Sequence, residues 1–131
     1  MRVLGIDYGT KRIGLAVSDS EHIAAHPFKL LENKGVAKFI AEIAALVVPE
    51  ELEAIAIGRP LNMMGRMTEF TKEVDSVISE LRSSLKIPVV PIDERLTSKA
   101  SEKIHDGSGK SKVDTRSAQL ILETYLAQEK R

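Results

Sequence analysis

Short apolar runs alternate with longer amphipathic stretches along this chain, and the two patterns predict different elements. Five short runs bounded by turn-forming residues predict β-strands, and they lie at 2–7, at 13–18, within 23–31, at 52–58 and at 87–92. The first two runs are separated by the turn segment YGTKR, which predicts a β-hairpin. Proline within the third run removes a backbone donor, so we expect an edge strand there.

The longer stretches repeat their apolar residues every three or four positions, as an amphipathic helix does. They predict helices near 36–48, 67–85 and 114–128. A short helix is expected after Thr97. The Gly/Ser/Lys-rich segment 107–112 predicts a loop before the last helix.

The predicted order is three strands, followed by helix, strand, helix, strand and helix. Right-handed crossovers would place the fourth and fifth strands parallel to the first strand and beside it. We therefore expect an α/β fold in which a mixed five-stranded sheet carries helices on both faces. The 131 residues fit a single domain over 1–131, which is large enough to form a core without disulfides or a structural metal.

Composition excludes several classes of function. The chain has no cysteine, which excludes a disulfide scaffold, a zinc ribbon and a cysteine nucleophile. It shows neither a signal-peptide pattern nor an apolar run of about 20 residues, so we expect a cytoplasmic protein without a membrane partner. With 19 basic and 19 acidic residues and only 4% aromatics, it lacks a cationic coat and base-stacking rings. A nucleic-acid partner would be recognised through its backbone and shape.

Carboxylates follow two of the predicted strands. Asp7 ends the first strand, and Asp93 and Glu94 end the fifth. Ligand sites in α/β sheets lie outside the carboxyl ends of the strands, and Asp114, at the start of the last predicted helix, could join them there. Neighbouring residues leave a strand on opposite faces, so at most one of Asp93 and Glu94 should enter a shared site.

Three converging carboxylates repel one another unless a cation neutralises them. Carboxylate oxygens are hard ligands that favour Mg²⁺ or Mn²⁺, and two such ions about 4 Å apart can hydrolyse a phosphodiester bond. Plainer roles are also open. Asp114 could cap the last helix, and Asp7 could shape the turn that follows it. The acid excluded from the site could be solvated, or could pair with Arg95, Lys99 or Lys103.

Four ordered segments resemble the YqgF family. They are GIDYGTKRIGLAVSD at 5–19, GRPLNMMG at 58–65, DERLTS at 93–98 and KVDTRSAQLILETYL at 112–126. The resemblance spans nearly the whole chain. It implies a ribonuclease H-like fold related to RuvC-type Holliday-junction resolvases, and activity as a nuclease that matures the 5′ end of pre-16S ribosomal RNA.

The resemblance places the family's acidic positions on Asp7, Glu94 and Asp114, and so selects Glu94 over Asp93. These three residues are the predicted catalytic residues and the predicted ligands of Mg²⁺ or Mn²⁺.

The predicted substrate-binding residues surround the acidic edge of the sheet. Arg95 and Thr97 match the DERLT motif, and Asn62 matches the glycine–proline loop. With basic residues in or beside the loops expected at this edge, the full set is Lys11, Arg59, Asn62, Arg95, Thr97, Lys110 and Lys112. Met64 departs from the family pattern, because a polar residue often stands there and a thioether does not bind a hard cation.

Other functions stay open at this point. The segment GIDYGT also resembles the phosphate-binding hairpin of actin-like ATPases and sugar kinases, although those proteins need a second such domain and further glycine-rich motifs. The chain could instead be a non-catalytic RNA-binding module in ribosome assembly. Among nuclease substrates, a four-way DNA junction is the alternative to structured precursor RNA. The sequence does not predict an oligomeric state.

Overall fold

The computed structural model describes residues 1–96 and 110–130, apart from the side chains of 110–114. Within these residues the elements are β1 (Arg2–Tyr8), β2 (Arg12–Ser18), β3 (Ala25–Glu32), α1 (Val36–Leu46), β4 (Leu52–Arg59), α2 (Glu69–Ser84), β5 (Val89–Asp93) and α3 (Lys110–Glu129). The short helix predicted after Thr97 lies outside the described residues.

The strands form one mixed sheet in the order β3-β2-β1-β4-β5. β1 is antiparallel to β2 and parallel to β4, and β5 is parallel to β4. This confirms the predicted five-stranded sheet with the fourth and fifth strands beside the first. β3 is an edge strand, as its proline predicted, and its register with β2 shifts between Leu15 and Ala16, where Pro27 pairs.

One face of the sheet is covered by α1 and α2 through large apolar side chains. Full burial of such a side chain stabilises the fold by about 1.5–3 kcal/mol, so this layer forms the main core. It includes Leu4, Ile6 and Tyr8 of β1, Phe39 and Ile43 of α1, and Val74, Val77, Ile78 and Leu81 of α2.

The other face is covered by α3 and is lined by small residues. Its buried members from the sheet include Val3, Ala16, Ala54 and Ala56. At Gly5 an added Cβ would lie 2.8 Å from both the carbonyl oxygen of Ala118 and the Cβ of Leu122. The helix therefore lies unusually close to the sheet, since carbon atoms in contact normally stay 3.5–4.0 Å apart.

The direction of α3 follows from its last turn. Glu129 contacts Nδ1 of His22 at 2.6 Å, and Nε2 of the same ring contacts the carbonyl oxygen of Met1. The end of α3 thus lies beside the start of β1, so its beginning points toward the end of β1. No helix in the described part of the chain is long and apolar enough to cross a membrane.

The beginning of α3 differs from the prediction. The helix begins at Lys110, whereas the sequence predicted a loop over 107–112 and a helix from Asp114. The chain has its last glycine at position 109, and no residue from Lys110 onward breaks a helix. Two interpretations are therefore wrong. Asp114 is the fifth residue of the helix rather than its N-cap, and Lys110 and Lys112 lie in the helix rather than in a loop.

Candidate active site

Asp7 occupies the next-to-last position of β1, the central strand of the sheet. Ile6 and Tyr8 are buried in the α1/α2 layer, so the alternation of the strand turns Asp7 toward the α3 face. Gly14 of β2 pairs with Asp7, and the parallel register of β4 brings Gly58 level with it on the other side. Glycine at both positions removes the side chains that would otherwise flank the carboxylate.

Glu94 directly follows β5 and reaches Asp7 from two strands away. Ile92 is buried on the α3 face, and Glu94, two residues later, lies on the same face. Its backbone N–H donates to the carbonyl oxygen of Arg59 at 3.2 Å, which extends the pairing of β5 with β4. The side chain passes over Gly58, where an added Cβ would lie 2.8 Å from both Cγ and Cδ of Glu94.

The two carboxyl groups hydrogen-bond to each other, and the pKa of Glu94 is raised to about 8. Burial of the Glu94 carboxyl is the largest cause, followed by the negative charge of Asp7, the hydrogen bond to Asp7 and the charge of Asp93. At neutral pH Glu94 is therefore protonated and donates to Asp7. A pair of acids in this arrangement shares one proton. A bound cation would neutralise the pair in place of that proton.

Asp93 and Glu94 diverge, as the alternation of a strand predicted. The guanidinium of Arg95 donates to Oδ2 of Asp93 at 2.7 Å, and the Arg95 backbone N–H donates to Oδ1 at 2.9 Å. The hydrogen bond from Arg95 is the main reason that the pKa of Asp93 lies below its ordinary value. Asp93 is thus ion-paired with Arg95, as one of the predicted alternatives had it.

Asp114 is placed through the backbone of α3. It precedes Ala118 by four residues, which is about 6 Å along a helix, and Asp7 follows Gly5 by two residues, which is about 6.6 Å along a strand. Because Ala118 lies against Gly5 and α3 begins toward the end of β1, we expect position 114 near the end of the sheet at which Asp7 stands. Among the described side chains, no group of three or more His, Asp or Glu residues could hold a metal ion.

Some basic residues of the predicted substrate-binding set are exposed, and others form ion pairs. Lys11 is exposed in the turn between β1 and β2, at the end of the strand that carries Asp7. Arg59 forms a two-pronged ion pair with Asp75 of α2, with donor–acceptor distances of 2.8 and 3.0 Å. Arg95 is held by Asp93. Thr97 and the side chains of Lys110 and Lys112 lie outside the described residues.

Asn62 shapes the loop between β4 and α2. Its Oδ1 accepts hydrogen bonds from the backbone N–H groups of Met64 and Arg66, both at 2.9 Å. Gly65 takes a positive φ of 77° in the same turn and lies under the guanidinium of Arg95. The amide oxygen of Asn62 is therefore used within the loop, while Met64 is exposed.

A family model described as "RuvX: Holliday junction resolvase" matches residues 1–128. The chain belongs to the RuvX (YqgF) family. This confirms the family to which the four sequence motifs pointed.

Two relatives are similar over nearly their whole length. The chain is 37% identical to a "Putative pre-16S rRNA nuclease" of Maridesulfovibrio salexigens, covering 97% of this chain and 98% of that protein. It is 38% identical to a protein of the same name from Syntrophomonas wolfei, covering 96% of this chain and 94% of that protein.

Two solved structures show the fold. Thermus thermophilus RuvC in complex with a Holliday-junction substrate has a TM-score of 0.68 at 15% identity, with 99% of this chain and 96% of RuvC covered. The fowlpox virus Holliday-junction resolvase has a TM-score of 0.58 at 10% identity, with 98% of this chain and 99% of that one covered. The predicted ribonuclease H-like architecture of this RuvX-family chain is confirmed.

Sequence reasoning missed the glycines beside the carboxylates. Gly14 and Gly58 flank Asp7 on the neighbouring strands, and neither was singled out among the candidate residues. The available signal was an alternation of small residues along β4, where Ala54, Ala56 and Gly58 stand at every second position. Such a pattern marks the face of a strand on which another backbone or a long side chain approaches closely.

Proposed function

We propose that this RuvX-family protein is a divalent-metal-dependent nuclease that cleaves precursor 16S ribosomal RNA at its 5′ end. The pair of Asp7 and Glu94 carries the proposal, since two carboxyl groups from different strands converge at the carboxyl end of β1 and β5 and share a proton. The relatives named as pre-16S rRNA nucleases support the substrate. RuvC bound to a four-way junction supports nucleic acid as the partner.

The donor set fits Mg²⁺ or Mn²⁺. Asp7 and Glu94 offer hard carboxylate oxygens, and Asp114, in the first turns of α3, is the proposed third ligand. We expect a divalent cation to replace the proton that Glu94 holds at neutral pH. When bound, a pair of such ions would supply an activated water and would neutralise charge on the leaving oxygen.

The protein's own residues position that chemistry. Asp7, on the central strand of the sheet, would hold the metal together with Glu94. Glu94 would bind the metal as a carboxylate, after releasing the proton that it holds in the metal-free protein. The phosphate backbone would be held by the substrate-binding set predicted above, which comprises Lys11, Arg59, Asn62, Arg95, Thr97, Lys110 and Lys112. These local groups would hold the substrate, since a chain of zero net charge has no general attraction for a polyanion.

A four-way DNA junction is the second candidate substrate, because the family model carries the description of a Holliday junction resolvase. We place RNA first because both relatives named for pre-16S rRNA are far closer in sequence than RuvC is. A role in rRNA maturation also implies a cytoplasmic location. A non-catalytic assembly module is the rival to both, and it would bind RNA without cleaving it.

The test is single-turnover cleavage of two substrates side by side. One is a pre-16S fragment that contains the 5′ processing site, and the other is a synthetic four-way DNA junction, each with Mg²⁺, with Mn²⁺ and with chelator. We expect metal-dependent cleavage of the RNA. Preferential cleavage of the junction would replace the substrate assignment, and binding without cleavage at any metal concentration would reject the nuclease in favour of the assembly module.

A further inference from the structure

Gly58 lies between the two carboxylates that define the site. β4 separates β1, which carries Asp7, from β5, which leads into Glu94. Adjacent strands lie about 4.8 Å apart, so the backbones of β1 and β5 are roughly 10 Å apart. The side chains of Glu94 and Asp7 together bridge that gap, and they do so only because that of Glu94 lies flat across the strand between them.

Space, rather than backbone conformation, is what position 58 requires. The glycines with positive φ are Gly35 and Gly65 among the described residues, so Gly58 has a backbone that any residue can adopt. An added Cβ, however, would lie 2.8 Å from Cγ and Cδ of Glu94 and 2.6 Å from Cδ1 of Ile121. Carbon atoms in contact normally lie 3.5–4.0 Å apart, so either Glu94 or α3 must move.

We propose that Gly58 is a positioning residue of the active site, which leaves the passage across β4 through which Glu94 reaches Asp7. The metal-binding consequence rests on the proposed function, whereas the geometric claim does not. A methyl group at position 58 removes no carboxylate and no predicted phosphate-binding group. It acts by holding Glu94 away from Asp7.

The added carbon would meet two neighbours, Glu94 and Ile121, and a second substitution distinguishes the effect of one from that of the other. Ile121→Val deletes the Cδ1 atom that would meet the new methyl group, so Gly58→Ala/Ile121→Val leaves Glu94 as the main obstacle. Compared with Ile121→Val alone, we expect this double variant to bind Mn²⁺ at least about tenfold more weakly in calorimetry. Its single-turnover cleavage rate should fall on the order of 100-fold, as for a catalytic group misplaced by about 1 Å.

A double-mutant cycle on stability tests the geometry without metal or substrate. Urea midpoints are measured in chelator at a single pH, for Gly58→Ala with and without Glu94→Ala. We expect Gly58→Ala to lower the midpoint, and to lower it less once the Glu94 side chain is gone. The matched control is Gly5→Ala, which adds the same atom on the same face but has α3 atoms as its nearest neighbours. Its effect should not depend on Glu94.

Several results would overturn the proposal. An equal midpoint loss with and without the Glu94 side chain would do so, and so would unchanged Mn²⁺ affinity and cleavage in Gly58→Ala/Ile121→Val. If Gly58→Ala fails to fold, recovery of folding in the Glu94→Ala background supports the proposal and failure to recover rejects it. Gly58→Ala could lose stability in a way that depends on Glu94 while the wild-type protein neither binds Mn²⁺ nor cleaves. That pair of results would uphold the geometry and reject the nuclease function.

Discussion

The raised pKa of Glu94 makes the stability of the metal-free protein depend on pH, and Glu94→Gln should remove that dependence. In the unfolded chain this carboxyl titrates near 4.5, and in the folded protein near 8. A carboxyl whose folded pKa is raised binds its proton more tightly in the folded state. The folded state therefore loses stability as the pH rises from about 4.5 to about 8.

The magnitude follows from the size of the shift. Each pKa unit corresponds to about 1.4 kcal/mol, so the free energy of unfolding should fall by about 3–5 kcal/mol across this window. Glutamine has nearly the same shape, can still donate a hydrogen bond to Asp7 and does not titrate. We expect Glu94→Gln to be more stable than wild type at pH 8 in chelator, and to resemble wild type near pH 5.

The assay is urea unfolding followed by circular dichroism in chelator from pH 5 to 8.5. Asp93→Asn is the matched control, because the pKa of Asp93 is lowered. The stabilisation that Asp93 provides is present above its ordinary pKa near 3.8 and is lost only at lower pH. Because the charge of Asp93 is the smallest of the four causes that raise the pKa of Glu94, Asp93→Asn should keep most of the slope between pH 5 and 8.5. A Glu94→Gln protein with the full wild-type slope would refute the proposed carboxyl pair.

Three further predictions concern other positions. Asp7→Asn should keep the fold but lower the single-turnover cleavage rate by roughly 10³-fold or more, because a metal ligand is removed. Asp93→Asn is the control and should stay active, and an Asp7→Asn enzyme as fast as wild type would reject the mechanism. Lys110→Ala/Lys112→Ala should weaken RNA binding and lower its salt slope by about one for each phosphate that is no longer neutralised, whereas an unchanged slope would leave these lysines out of the interface. Burial of His22 alone would lower its pKa, but the hydrogen bond and charge of a neighbouring glutamate raise it. Its contribution to stability is therefore present below pH 6.5 and disappears as the pH rises through the folded value, so His22→Asn should flatten that part of the urea-midpoint profile, and an unaltered profile would contradict it.

The sequence predicted most of the fold because each element is marked by its local periodicity. The stripe that starts at Phe70 became α2, and the run broken by Pro27 became an edge strand. The start of α3 was the main error. Glycine and serine up to position 109 suggested a loop, but the helix extends back to Lys110, where the breaking residues end.

For the candidate site, strand alternation predicted that Asp93 and Glu94 point apart, and the family resemblance selected Glu94 as the member of the site. The sequence by itself determined which acids stand at strand ends, that Asp93 and Glu94 point apart, and to which family the chain belongs. These are properties of short segments, which follow from the local geometry of a strand or helix.

Only the tertiary structure decided that Glu94 reaches Asp7 across a third strand. That contact depends on the order of strands in the sheet and on the missing side chain at Gly58, which come from distant parts of the chain. The raised pKa of Glu94 is likewise a product of burial and of a neighbour 87 positions away in sequence. The local sequence pattern places carboxyl groups at the strand ends. Only packing sets the distance between them, and that distance determines whether they share a proton.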